Sequence, residues 1–100
     1  MPATADVKQI LDSLMSTLVR AQAERSQRDD FVRLADGGSE LGWVLYEREQ
    51  MLTAVNTLRA DSGKGSASID AVQIAERRAR GHVDYAWKFA IGCADLVIAD

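Results

Sequence analysis

The stretch "VKQILDSLMSTLVRA", residues 7–21, decides the fold class. At about 100° per residue, Val7, Ile10, Leu11, Leu14, Leu18 and Ala21 fall on one stripe. A strand would alternate with period two, and this stretch does not. It predicts an amphipathic helix from about residue 5 to residue 28. Beyond Arg25 the stripe loses phase: Val32 keeps it, whereas Phe31 and Leu34 rotate away. The spacing therefore predicts a bend, or a stop and restart, between Arg25 and Asp30. "SQRD" at 26–29 would serve the restart as a capping box, carrying the helix on to about 35. "DGGS" at 36–39 supplies a glycine to end it.

The rest of the chain reads the same way. Leu41, Val44, Leu45, Met51, Leu52, Val55 and Leu58 form one arc and predict a helix over 40–60. "ADSGKGSAS" at 60–68 reads as a flexible loop. A shorter helix is expected over 69–80, with Ser68 as N-cap, Asp70 in its first turn and Gly81 at its C-terminal cap. The last helix is expected over 84–98. Its polar stripe is narrow, limited to Asp84, Lys88, Gly92 and Asp95, which marks a central helix. No segment alternates long enough to be a strand, and no internal repeat occurs. The expectation is one all-α domain over 1–100, a compact bundle of four helices, or five if the first breaks.

Composition agrees and narrows the function. At 100 residues with 47% hydrophobic content, the chain can build one core. Net charge is −3, shared as −2 over residues 1–60 and −1 over 61–100, so neither part is built to hold a polyanion. Nucleic acid is accordingly the less favoured partner. Cys93 is the lone cysteine, so a disulfide within the chain and a zinc-cysteine cluster are both ruled out. The start "MPATADVKQ" lacks the basic region of a signal peptide. The most apolar run, 83–99, holds Asp84, Lys88 and Asp95 and is too short and charged for a membrane span. A soluble cytoplasmic protein is the expectation.

"ERRARGHVDYAWKFA", residues 76–90, gathers three arginines and the single histidine before an aromatic run. Arg77, Arg78 and Arg80 sit in a last helical turn, where cations complement the helix dipole. A sharper reading makes Asp70, Gln73, Arg77 and Arg80 a DNA-reading face, since Gln and Arg make bidentate base contacts. The long preceding loop and the negative charge count against it. His82 reads as a junction residue, because HxxxH, ExxH and CxxC are all missing and no metal or other cofactor is implied. Asp84 and Lys88 read as an i,i+4 surface pair.

Catalysis is not expected. "GKGS" at 63–66 has Leu58 where a phosphate loop needs glycine. Cys93 lies on an apolar face, where a thiolate is disfavoured. Glu47 and Glu49 point to different sides, and no carboxylate pair stands out. Trp43 and Tyr46 are the more telling residues. Tyr46 lies opposite the core arc of 40–60, with Gln50, Ala54 and Thr57 on the same side. Either another helix of the chain covers them, or they contact a partner, as exposed Trp and Tyr do in interfaces.

The chain resembles small, acidic, all-helical bacterial or phage accessory proteins in general character only, with no motif behind the likeness. The expected function is non-catalytic binding of another protein, as a regulator, adaptor or inhibitor, including one encoded by a phage against a host system. Trp43, Tyr46 and Gln50 would form the contact patch, and Arg77 and Arg80 a charged rim. A homodimer is a second expectation, through the heptad-like stripe of the first helix. The alternative is a dimeric helical DNA-binding transcriptional regulator using residues 69–80.

Overall fold

A computed structural model describes residues 7–36 and 40–99, apart from the side chains of 25–36 and 40–43. Four helices make up the described chain: α1 (Val7–Asp36), α2 (Glu40–Asp61), α3 (Ile69–Ala79) and α4 (Tyr85–Ile98). They form a compact all-α bundle. The long axis of 50 Å is set by α1, whose 30 residues span about 45 Å at the helical rise.

The first helix does not break. Its backbone is helical from Val7 through Asp36, so "SQRD" is interior helix and not a cap. No glycine or proline lies between those ends, and the Arg, Gln and Glu residues there are good helix formers. The change of apolar phase leaves the hydrogen-bonded ladder intact. The "DGGS" reading falls on 37–39, which lie outside the described residues.

The stripe of the opening stretch is the inner face of α1. Ile10, Leu14, Leu18 and Ala21 are buried. Ile10, Leu14 and Leu18 pack into one core with Met51 and Val55 of α2, Val72 and Ala79 of α3, and Phe89, Ala90 and Val97 of α4. Val7, at the start of the stripe, is exposed, but Ile10, Leu14, Leu18 and Ala21 are buried within the chain and are not free to pair with a second copy.

Between them, α3 and α4 follow the expected chemistry most closely. Ser68 accepts the backbone N–H of Ala71 at 3.3 Å, capping α3. Gly81 ends it with φ +87°, a left-handed conformation that other residues adopt at a cost. Among the described residues, α2 and α4 each touch the other three helices, while α1 and α3 do not meet. The narrow polar stripe of α4 predicted a central helix; α4 shares that place with α2 and keeps one apolar face exposed.

The stripe itself differs in detail. Gly92 is turned toward α3, where a Cβ would come within 2.9 Å of the Ala75 Cβ. A glycine is required there because the two helices touch almost backbone to backbone. Trp87, Ile91 and Ile98 are exposed instead, beside Asp84, Lys88 and Asp95. The Asp84–Lys88 pair does not close. Asp84 is the N-cap of α4, at φ −103° and ψ 40°, so its side chain is off the helical lattice that i,i+4 pairing needs.

The 62–68 connection is tied down at several points. Asn56 donates to the Ala67 carbonyl at 3.3 Å and accepts its N–H at 2.7 Å. Arg59 donates to Gly65 O at 2.6 Å, and also to Leu96 O and Ala99 O at 2.6 and 2.8 Å. Lys64 of "GKGS" donates to Val97 O at 3.0 Å and Ile98 O at 2.7 Å. Two cations thus satisfy the last carbonyls of α4 and complement its negative end.

Candidate functional site

Two places hold side chains whose position calls for an explanation. One is a buried ionic cluster between α2, α3 and α4. The other is the outer face of the α3–α4 hairpin.

Glu76 is the centre of the cluster, 1% exposed. It accepts Arg48 Nε at 3.1 Å and Nη2 at 2.6 Å, and Arg80 Nε at 3.0 Å. Tyr85 Oη lies 3.3 Å from Glu76 and 3.2 Å from Glu47, so one hydroxyl proton is shared between two carboxylates. Arg48 and Glu47 are themselves buried, whereas half of the Arg80 side chain reaches solvent. Burial is the largest influence on Glu76 and pushes its pKa up. Hydrogen bonds and charge from Arg80 and Arg48 outweigh it and hold the carboxyl below its ordinary value of 4.5. Tyr85 is driven well above its ordinary value, first by burial and then by the charges of Glu47 and Glu76. It stays a protonated donor. The Tyr85 ring also tilts against Phe89, with centroids 5.8 Å apart. These contacts tie three helices together; they present no exposed nucleophile.

This is the structural meaning of much of "ERRARGHVDY". Glu76, Arg80 and Tyr85 belong to the internal cluster, Arg78 lines the groove between α3 and α4, and Arg77 is exposed. Arg77 and Arg80 are therefore differently employed. His82 is exposed at the junction, where its backbone N–H donates to Ala79 O at 3.2 Å. Among the described residues, no three His, Cys, Asp or Glu side chains gather as a metal-binding group. Cys93 is fully buried, and burial pushes its thiol up to about 12.

The Tyr46 side of α2 faces α1. Tyr46 is half-buried, and its hydroxyl donates to Glu24. Gln50, Ala54 and Thr57 line a groove of about 250 Å³ together with Ser13, Thr17 and Arg20 of α1. The side chain of Trp43 lies outside the described residues. Leu45, expected in the core arc, is 47% exposed, because Glu47 and Arg48 occupy the inner positions of that turn.

The outer face of the hairpin is what the sequence reading missed. Ile74 on α3 is 50% exposed, and Trp87, Ile91 and Ile98 on α4 are 45%, 38% and 46% exposed. A groove of about 470 Å³ runs between the two helices. Its floor is Ala71, Ala75 and Gly92, and one end carries Arg78 and Lys88 while the other carries Asp95. The signal was present in the sequence. Trp87, Ile91 and Ile98 recur at i, i+4 and i+11, but on a helix apolar nearly all round that ridge cannot be told from core.

No helix among the described residues is long and apolar enough to cross a membrane. Compared with protein-family models, curated proteins and solved structures, the chain matches none. The class it belongs to is defined by its architecture alone, a small all-α bundle.

Proposed function

We propose that this protein acts without catalysis, by binding another protein through a helical surface as a regulator, adaptor or inhibitor. The observation that carries the reading is the exposed apolar set on one side of the α3–α4 hairpin: Ile74, Trp87, Ile91 and Ile98. A contiguous apolar patch flanked by charges is the usual mark of a protein-binding site. A tryptophan within it is the residue type most enriched among strong contacts. The Trp43–Tyr46–Gln50 side of α2 is the weaker site, because Tyr46 is bonded to Glu24 of α1 and Gln50 lies in the groove between the two helices. Arg77 beside Ile74 supplies a charged rim. The free thiol of Cys93 suits a reducing compartment such as the cytoplasm.

The test compares immobilised wild type with Trp87→Ala/Ile91→Ser, and with Tyr46→Phe/Gln50→Ala, for capture of partners. The reading expects capture to be lost in the first variant and retained in the second. Equal capture by all three rejects it. A parallel titration with duplex DNA tests the regulator alternative over residues 69–80. Salt-sensitive binding that weakens in Arg77→Ala would favour that alternative.

A further inference from the structure

We infer that the outer face of α4 is self-complementary and that its partner is a second copy of this chain, docked antiparallel about a two-fold axis at Ile91–Gly92. The inference rests on the protein-binding reading above and names the partner of that same surface.

The argument starts from two exposed, oppositely charged residues. Lys88 and Asp95 are both exposed, and neither forms an ion pair or a side-chain hydrogen bond among the described residues. They lie on the same face as Ile91 and stand at equal distances on either side of the Ile91–Gly92 peptide. At the helical rise each is about 5 Å along the axis from that point. An antiparallel copy turned about that point brings Lys88 opposite the other copy's Asp95, and Asp95 opposite its Lys88. One symmetry operation thus makes two ion pairs, as an isologous interface requires.

The apolar residues obey the same symmetry. Ile91 meets its own copy at the axis. Trp87 comes within about 3 Å in axial height of the other copy's Ile98, close enough for an indole to cover it. On α3, Ile74 flanks the same waist, and Arg78 lies at the Lys88 end of the groove. The groove is cationic at one end and acidic at the other, so a parallel copy would set like charges together. The antiparallel copy sets Lys88 against Asp95 on both sides of the axis.

The experiment is sedimentation equilibrium of the full chain from micromolar to millimolar concentration. It runs on wild type, Lys88→Asp, Asp95→Lys and the double reversal Lys88→Asp/Asp95→Lys. Both positions are exposed, so helicity by circular dichroism should be unchanged in all four. The expected result is a wild-type mass of twice the 10.9 kDa chain. Each single reversal should give the single-chain mass, and the double reversal should restore the dimer. In a Trp43→Phe background, Trp87 emission should shift to the blue on association in wild type and in the double reversal only. A wild type that stays at 10.9 kDa throughout overturns the inference. Partner capture that depends on Trp87 would then keep the broader protein-binding reading, and its loss would remove both. A dimer indifferent to both single reversals also overturns the inference, since another surface would be holding it.

Discussion

Replacing Glu76 by glutamine keeps its shape and removes its charge. The wild-type carboxylate is 1% exposed and faces Arg48, which is 4% exposed. In the variant Arg48 keeps its charge inside the protein and loses the carboxylate 2.6 Å away. The glutamine amide also points N–H groups toward guanidinium N–H groups. Removing one partner of a buried pair typically costs about 3–5 kcal/mol. Arg80 adds little, because half of its side chain is in water and such pairs are worth about 0.2–1 kcal/mol. Against a total of about 5–15 kcal/mol for a domain, Glu76→Gln should be among the most damaging single changes. Urea unfolding at neutral pH should show the midpoint fall with little change in slope. Thermal unfolding should fall by roughly 12 °C or more, at about 4–8 °C per kcal/mol. Acid should narrow the difference. The folded-state pKa of Glu76 is depressed, so its contribution is fully present above the ordinary 4.5 and is lost as pH falls through the lower, folded value. Arg48→Met/Glu76→Gln should recover part of the loss, because the Arg48 charge is then no longer buried without Glu76. A loss below about 1 kcal/mol in the single variant would refute the reasoning. So would a double variant as unstable as the sum of the two singles.

Three further outcomes follow from the packing. Gly92→Val should destabilise by about 1–3 kcal/mol in urea unfolding, since its Cβ would meet the Ala75 Cβ at 2.9 Å with no flexible atom to give way. Arg59→Met should cost about 2 kcal/mol, because three charge-assisted bonds to backbone carbonyls at 2.6–2.8 Å are lost, and amide exchange near the end of α4 should quicken. Cys93, fully buried and with its thiol raised to about 12, should resist an aromatic disulfide reagent at pH 8 in the folded protein and react at once in denaturant.

The sequence made some of this visible and hid the rest for definite reasons. Residues 7–21 carry an apolar stripe with no competing pattern, so α1 was legible along with the face it buries. Ser68 and Gly81 bound α3 by local chemistry, and local chemistry is what sequence spacing reports. Glu76 and Arg80, four apart on one helix, could have been paired in advance. Arg48 could not, because it is 28 positions away and only the packing of α2 on α3 brings it in. For the same reason Lys64 read as part of a loop and Arg59 carried no signal, although they bond the end of α4 from 33 to 40 positions away. The candidate surface was hidden differently. An apolar face on a central helix and an apolar face awaiting a partner have the same periodicity, and only the positions of the neighbouring helices separate them.

The most direct test of the central claim places a photo-crosslinking phenylalanine analogue at Ile91 and, as control, at Leu45, which is 47% exposed on α2. Both variants would be irradiated in cells that express the full chain. The account predicts a discrete protein adduct from position 91 and none of that mass from position 45. Equal adducts from both positions, or none from position 91, would contradict the claim that the outer face of α4 is where this protein binds.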